Sequence, residues 1–153
     1  MAEALLNTLD PGAIVLGVNA SNDEEVIRIL AARLEGLGYV KPSYADAVVA
    51  REAALPTGLP LGGANNVAVP HTDPHHVIKP GLALATLAEP VLFSNMEDPD
   101  EKLPVSVVFV MALNDKDKQV EMLQEIAGTI QSPEIIAALI AAKSAEDVLG
   151  LLG

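Results

Sequence analysis

The sequence predicts an α/β fold: a single mixed sheet of about five strands flanked by helices on both faces. Three observations carry that expectation. Short apolar runs rich in Val, Ile and Leu alternate along the chain with segments of helical period. The helical segments begin at Ser or Asp caps and stop at Gly or Pro. Two of the apolar runs, 82–87 and 91–93, lie too close together for a crossover helix, so part of the pairing is antiparallel.

The elements follow in chain order. Ala13 to Val18 is a β-branched run after Pro11-Gly12 and reads as a buried strand. Ser21 to Glu24 has the capping-box pattern, and Val26, Leu30, Leu34 and Leu37 follow at helical spacing until Gly38. A second helix spans about Ser43 to Ala54, stopped by Pro56, with Tyr44, Val48 and Leu55 facing the core. Leu55 to Asn66 carries Pro and Gly without periodicity and reads as loop, and Val67 to Val69 is a strand ended by Pro70. Strands at 82–87, 91–93 and 105–113 follow, with an acidic loop before the last, which reads as the central strand. A helix from about Asp115 places Val120, Leu123, Ala127 and Ile130 on one face. Two more open at Ser132-Pro133 and at Ser144, with Asp147 three residues on.

With 153 residues, 50% of them hydrophobic, the chain suits one domain, 1–153, with one well-filled core. The net charge of −12 argues against nucleic acid or anionic membrane as a partner and favours encounter with a basic protein face. The absence of cysteine excludes disulfides, thiolate nucleophiles and Cys-ligated zinc. The N-terminus, MAEALLNTLD, lacks the basic and apolar regions of a signal peptide, and no apolar run approaches the ~20 residues of a membrane span. The expectation is a cytoplasmic protein with no direct membrane insertion.

All three histidines fall in AVPHTDPHH: His71, His75 and His76. A metal reading takes these three with Asp73 as ligands. Pro74 interrupts that set, adjacent histidines rarely address one ion, and a further ligand would have to be a distant carboxylate. A second reading makes His75 a surface residue of a polar loop and leaves His76 open between that and capping a turn or orienting a neighbour. His71 stands apart, because Pro70 restrains the backbone before it at the end of a buried strand, where open α/β sheets place their ligands. A neutral imidazole with one free nitrogen is a competent phosphoryl acceptor and needs no cofactor. The transferred group needs donors around its oxygens, and Arg51, Thr57 and the Gly58 backbone lie upstream to supply a guanidinium, a hydroxyl and amides. Arg51 reads equally as a solvated helix residue. Glu97, Asp98, Asp100 and Glu101 form a solvated acidic loop.

Arg51-Glu-Ala-Ala-Leu-Pro-Thr-Gly-Leu59, then Val67-Ala-Val-Pro-His71, then Pro90-Val-Leu-Phe93 together resemble the mannitol/fructose class of enzyme IIA of the bacterial sugar phosphotransferase system. The resemblance extends over nearly the whole chain. It implies that His71 accepts a phosphoryl group from the phosphohistidine of HPr and passes it to a cysteine of the cognate enzyme IIB, and through it serves the membrane enzyme IIC. Arg51 and Thr57 would help to hold the group. Mannitol-type members carry a second active-site histidine where this chain has Gln119, whose amide can donate to a phosphate oxygen but cannot carry charge. His71-Thr-Asp-x-x-His76-Val77 and Asn95-Met-Glu-Asp98 resemble the galactitol-type branch, which implies galactitol or a related polyol or sugar. Two other functions fit the same residues: a IIA-like regulatory module signalling through His71 phosphorylation, and a His/Asp metal-dependent enzyme.

Overall fold

The structure, a computed structural model, describes residues 3–153; residues 1 and 2, with which the predicted domain begins, lie outside the described residues. The chain runs α1 (Glu3–Thr8), β1 (Leu9–Val18), α2 (Asp23–Gly36), α3 (Tyr44–Ala54), β2 (Gly58–Leu59), β3 (Asn66–Ala68), a 3-10 turn at Pro74–His76, β4 (Gly81–Ser94), β5 (Lys102–Ala112), α4 (Lys116–Thr129), α5 (Pro133–Ala141) and α6 (Ala145–Leu152). The five strands form one sheet in the order β1-β4-β5-β3-β2. β1 with β4 and β3 with β5 are parallel, while β4 with β5 and β2 with β3 are antiparallel. The sheet is therefore mixed, with β5 at its centre, as expected.

The count of five conceals two differences. The runs 82–87 and 91–93 are one long strand, β4, whose pairing with β5 is interrupted between Thr86 and Val91. Its antiparallel partner is therefore β5, not its own continuation. Part of the expected 55–66 loop is strand: Gly58 and Leu59 pair with Ala68 and Val67, a two-residue ribbon too short, beside two prolines, to leave a periodic signal. β1 also starts earlier than expected, at Leu9, and is preceded by the unanticipated α1, whose six residues are too few to show a helical period.

Period-two alternation divides the core between the two faces of the sheet. On one face Ala83, Ala85, Val108 and Val110 meet Val26, Ile27, Leu30 and Leu34 of α2 and Tyr44 and Val48 of α3. On the other, Leu82, Leu84, Val107, Phe109 and Met111 meet Met122 and Ile126 of α4, Ile136 and Leu139 of α5, and Val148 and Leu152 of α6. Early in β4 the small Ala83 and Ala85 face α2 and α3 and the large Leu82 and Leu84 face α4, α5 and α6, whereas farther along Leu87, Val91 and Phe93 fill the α2 and α3 side. Among the described residues no helix is long and apolar enough to cross a membrane.

The caps follow the sequence with one shift. At α2 the N-cap is Asn22 rather than Ser21: its Oδ1 accepts from the Glu25 amide at 2.9 Å, while the Ser21 amide donates to Glu25 Oε2 at 2.8 Å. Asp115, Ser132 and Ser144 cap α4, α5 and α6. Leu37 and Leu55, expected in the core, are exposed because each is the residue just past its helix, where the chain turns away from the sheet. The buried stripe of α4 is Met122, Ile126 and the following Ile130, a rotation that leaves Val120 exposed.

Candidate functional site

His71 follows β3 at the carboxyl end of the parallel pair β3 and β5. Pro70, just before it, is fixed from β5: the Met111 amide donates to the Pro70 carbonyl at 3.0 Å. Met111 is itself held, since the buried Tyr44 hydroxyl donates to its carbonyl at 2.5 Å. On the far side, Gln119 from the first turn of α4 donates through Nε2 to the carbonyl of Thr72 at 2.8 Å. His71 is thus clamped between two braced neighbours. The Gln119 amide, chemically able to donate to a phosphate oxygen, is already committed to backbone carbonyls, that of Leu113 at 3.4 Å being the second.

The imidazole itself is oriented. Nδ1 lies 2.9 Å from the carbonyl oxygen of Val69. A carbonyl can only accept, so Nδ1 carries the proton and Nε2 carries the lone pair. Burial pushes the His71 pKa below the usual imidazole value, and the Arg51 guanidinium adds to that; the Val69 bond and the Asp73 carboxylate act in the opposite sense. The ring is therefore held neutral, in one tautomer, with a nucleophilic nitrogen available.

His71 shares a pocket of about 240 Å³ with Arg51, Met111, Lys116, Gln119, Val120 and Leu123. Arg51 reaches it from the last turn of α3 and makes an ion pair with Asp73, Nη1 to Oδ1 at 3.3 Å. Lys116 begins α4, so a cation and a helix N-terminus meet on one side of the pocket. The exposed Val120 and the partly buried Leu123 form its apolar rim.

Thr57 lies deeper. It is 4% exposed, and its Oγ1 donates to Glu52 Oε1 at 2.7 Å and accepts from the Val69 amide at 3.2 Å. Its own amide donates to Glu52 Oε2 at 2.9 Å. Glu52, 5% exposed, thus uses both carboxylate oxygens on one residue. Burial pushes its pKa up, against the lowering effect of the two Thr57 bonds, and the Asp23 charge adds to the rise. A side chain on Gly58 would place its Cβ 2.5 Å from the Ser94 carbonyl oxygen, so the turn after Thr57 needs glycine. Arg51, Thr57 and His71 are therefore connected, but unequally: Arg51 shares the pocket with His71, whereas Thr57 supports the strand that carries it.

Glu52 and Lys116 were not singled out in the sequence. Glu52 had a signal: it continues the Tyr44, Val48 stripe at a spacing of four, so helical geometry alone puts a carboxylate in the core. Lys116 had only its place in the first turn of a predicted helix. The other histidines turn elsewhere. His76 Nδ1 lies 2.8 Å from Ser43 Oγ, and the exposed His75 stacks on it with ring centroids 3.9 Å apart. Among the described residues no three His, Cys, Asp or Glu side chains come together as a metal-ligand set.

Comparison with known proteins returns one consistent picture. The family described as "Phosphoenolpyruvate-dependent sugar phosphotransferase system, EIIA 2" matches residues 7–153. The "PTS system mannitol-specific EIICBA component" of Vibrio cholerae serotype O1 is 34% identical over 142 residues, 91% of this chain and 20% of that protein. The "PTS system galactitol-specific EIIA component" of Escherichia coli K12 is 27% identical over 124 residues, 81% of each chain. The chain thus spans about a fifth of the length of the mannitol-specific relative. Among solved structures, the Escherichia coli complex of enzyme IIAMTL with phosphorylated enzyme IIBMTL superposes with a TM-score of 0.76 at 29% identity, covering 94% of this chain and 95% of that one.

Proposed function

The chain belongs to the EIIA 2 family of the phosphoenolpyruvate-dependent sugar phosphotransferase system, and from that premise we propose that His71 carries a phosphoryl group between two partner proteins, HPr and an enzyme IIB. The observation that carries the proposal is the bond from His71 Nδ1 to the Val69 carbonyl, which leaves Nε2 as the one nucleophilic nitrogen in a pocket lined by two cations. In the forward step Nε2 attacks phosphorus in line as the phosphorus–nitrogen bond of phospho-HPr breaks. The departing imidazole, protonated on its other nitrogen, keeps the electron pair and leaves neutral, and the His71 proton stays on Nδ1, donated to the Val69 carbonyl. In the second step a cysteine thiolate of enzyme IIB takes the phosphoryl group and His71 returns to its neutral form. No proton has to cross the interface, so alignment and charge stabilisation do the catalytic work.

Arg51 and Lys116 supply positive charge for the equatorial oxygens, and Thr57 assists by holding Val69, and through it the ring, in place. Val120 and Leu123 offer partners an apolar contact beside the nucleophile, and enzyme IIC is reached only through enzyme IIB. The reading takes 1–153 as one such unit working in the cytoplasm. The uptake it serves is that of a sugar or polyol, which this chain itself does not touch, and His71-Thr-Asp-x-x-His76-Val77 with Asn95-Met-Glu-Asp98 supports a galactitol-type system.

The test is reconstitution. Incubation with phosphoenolpyruvate, enzyme I and HPr is expected to yield one acid-labile phosphate per chain, and addition of a cognate enzyme IIB to move it to a thiol. Phosphate that loads but never leaves would favour the regulatory module; no loading at all would overturn the proposal. A second expectation concerns pH. Protonation of Nε2 removes the lone pair, and the His71 pKa is displaced downward. The loading rate should therefore be flat through neutrality and fall only at pH values below the ordinary imidazole range of about 6.5. A fall centred above that range, measured with HPr kept saturating, would contradict the burial of the ring.

A further inference from the structure

Asp73 lies two residues after His71, and its carboxylate makes one side-chain contact among the described residues, the 3.3 Å pair with Arg51 Nη1. It precedes the 3-10 turn Pro74–His76 but makes no side-chain cap to it, so local structure does not account for an acid here. The pair is single-pronged, with the side chains 34% and 49% exposed, and is therefore weak and exchangeable. Arg51 makes no other side-chain bond among the described residues, which leaves most of its planar fork unused. The same guanidinium lines the pocket with His71, whose charge state feels both Arg51 and Asp73.

We propose that Asp73 is a positioning residue that sets the transfer potential of phosphorylated His71, by competing for Arg51 and by opposing the charge of the phosphoryl group. The inference rests on the phosphocarrier reading above. In the unloaded protein Arg51 rests on Asp73. Loading places a dianion on Nε2, a stronger and bidentate acceptor, and Arg51 turns to it. Asp73 is then left unpaired beside a like charge, so the loaded state is raised in free energy relative to one lacking that carboxylate. A carrier needs this: a phosphoryl group held too well by its cations would load readily and leave slowly. Asp73 keeps Arg51 available without letting it trap the product.

The test uses the full chain with phosphoenolpyruvate, enzyme I and HPr, reading the equilibrium ratio of loaded to unloaded protein against phospho-HPr, and then the rate of transfer to an enzyme IIB thiol. Asp73→Asn is expected to raise the loading equilibrium by about threefold to tenfold and to slow onward transfer by a similar factor, the size expected of one charge acting through partly exposed surroundings. Asp73→Glu should stay within about twofold of the parent, because it keeps the charge. In an Arg51→Ala background the Asp73→Asn effect should shrink, a non-additivity that a purely structural role would not produce. Equal loading by Asp73→Asn and the parent, with matching thermal melts, overturns the inference and leaves the phosphocarrier reading intact. A parent protein that takes no phosphate overturns both.

Discussion

His71→Ala is expected to reduce acid-labile phosphate incorporation to background, while His75→Ala and His76→Ala incorporate it at rates within about twofold of the parent, as changes outside the reacting group should. The contrast follows from where the rings point. His71 lines the pocket with its Nδ1 committed to Val69, whereas His76 is bonded to Ser43 and the exposed His75 only stacks on it. Loss of the His71 ring should cost the fold little, about 1 kcal/mol for the single bond to the Val69 carbonyl, so the variant remains a folded control. Incorporation that survives in His71→Ala would move the acceptor elsewhere and sink the assignment.

The second large effect is on stability. Glu52→Ala removes the acceptor for two buried donors of Thr57, its amide and its hydroxyl. The hydroxyl can rotate, but the amide cannot, and an unmet buried amide costs on the order of 1–3 kcal/mol. Adding the slackened strand, Glu52→Ala should lose about 2–3 kcal/mol in denaturant unfolding. Glu52→Gln should lose less, since one amide oxygen still accepts. The loading rate should fall too, because Thr57 Oγ1 also accepts from the Val69 amide and so reaches the residue that orients His71. With Thr57→Val as the second change, the two stability losses should add to less than their sum. Strict additivity would mean the pair does not act as a unit.

The burial of Glu52 also fixes the direction of a pH effect. Its folded-state pKa is displaced upward, so the native chain binds more protons than the unfolded one between the ordinary carboxylate range and the raised value. This residue's contribution to stability therefore declines as pH rises through that window, and Glu52→Ala should remove the decline.

Much of this architecture was legible because local rules and tertiary structure agree. The caps at Asp115, Ser132 and Ser144, the apolar run that becomes β5 and the Pro70 stop before His71 are each visible in a few residues. What escaped depends on neighbours distant in sequence. Gly58 and Leu59 are strand only because β3 lies beside them, and β4 continues through Pro90 because β5 pairs with it on both sides of the break. In the site, His71 and Arg51 could be chosen by chemistry. Asp73 could be noticed but was weighed as a metal ligand, since nothing in the spacing tells that its partner is Arg51 on α3. Gln119 was seen as a replacement for a histidine, and its bond to the Thr72 carbonyl needed the structure.

The place of β3 in the sheet also governs when the site can exist during folding. β3 is three residues long, and among the described residues its strand neighbours are the two-residue β2 and β5, which begins at Lys102. A growing or refolding chain that has reached His71 therefore has the proposed nucleophile but not the strand that seats it. The Met111 amide that holds Pro70 and the Gln119 side chain that holds Thr72 arrive later still. Closure of this long loop is entropically costly and comes late in assembly. A partly folded chain consequently presents His71 as an ordinary solvated imidazole, unable to choose between its two nitrogens, and competence for transfer becomes a property of the finished sheet.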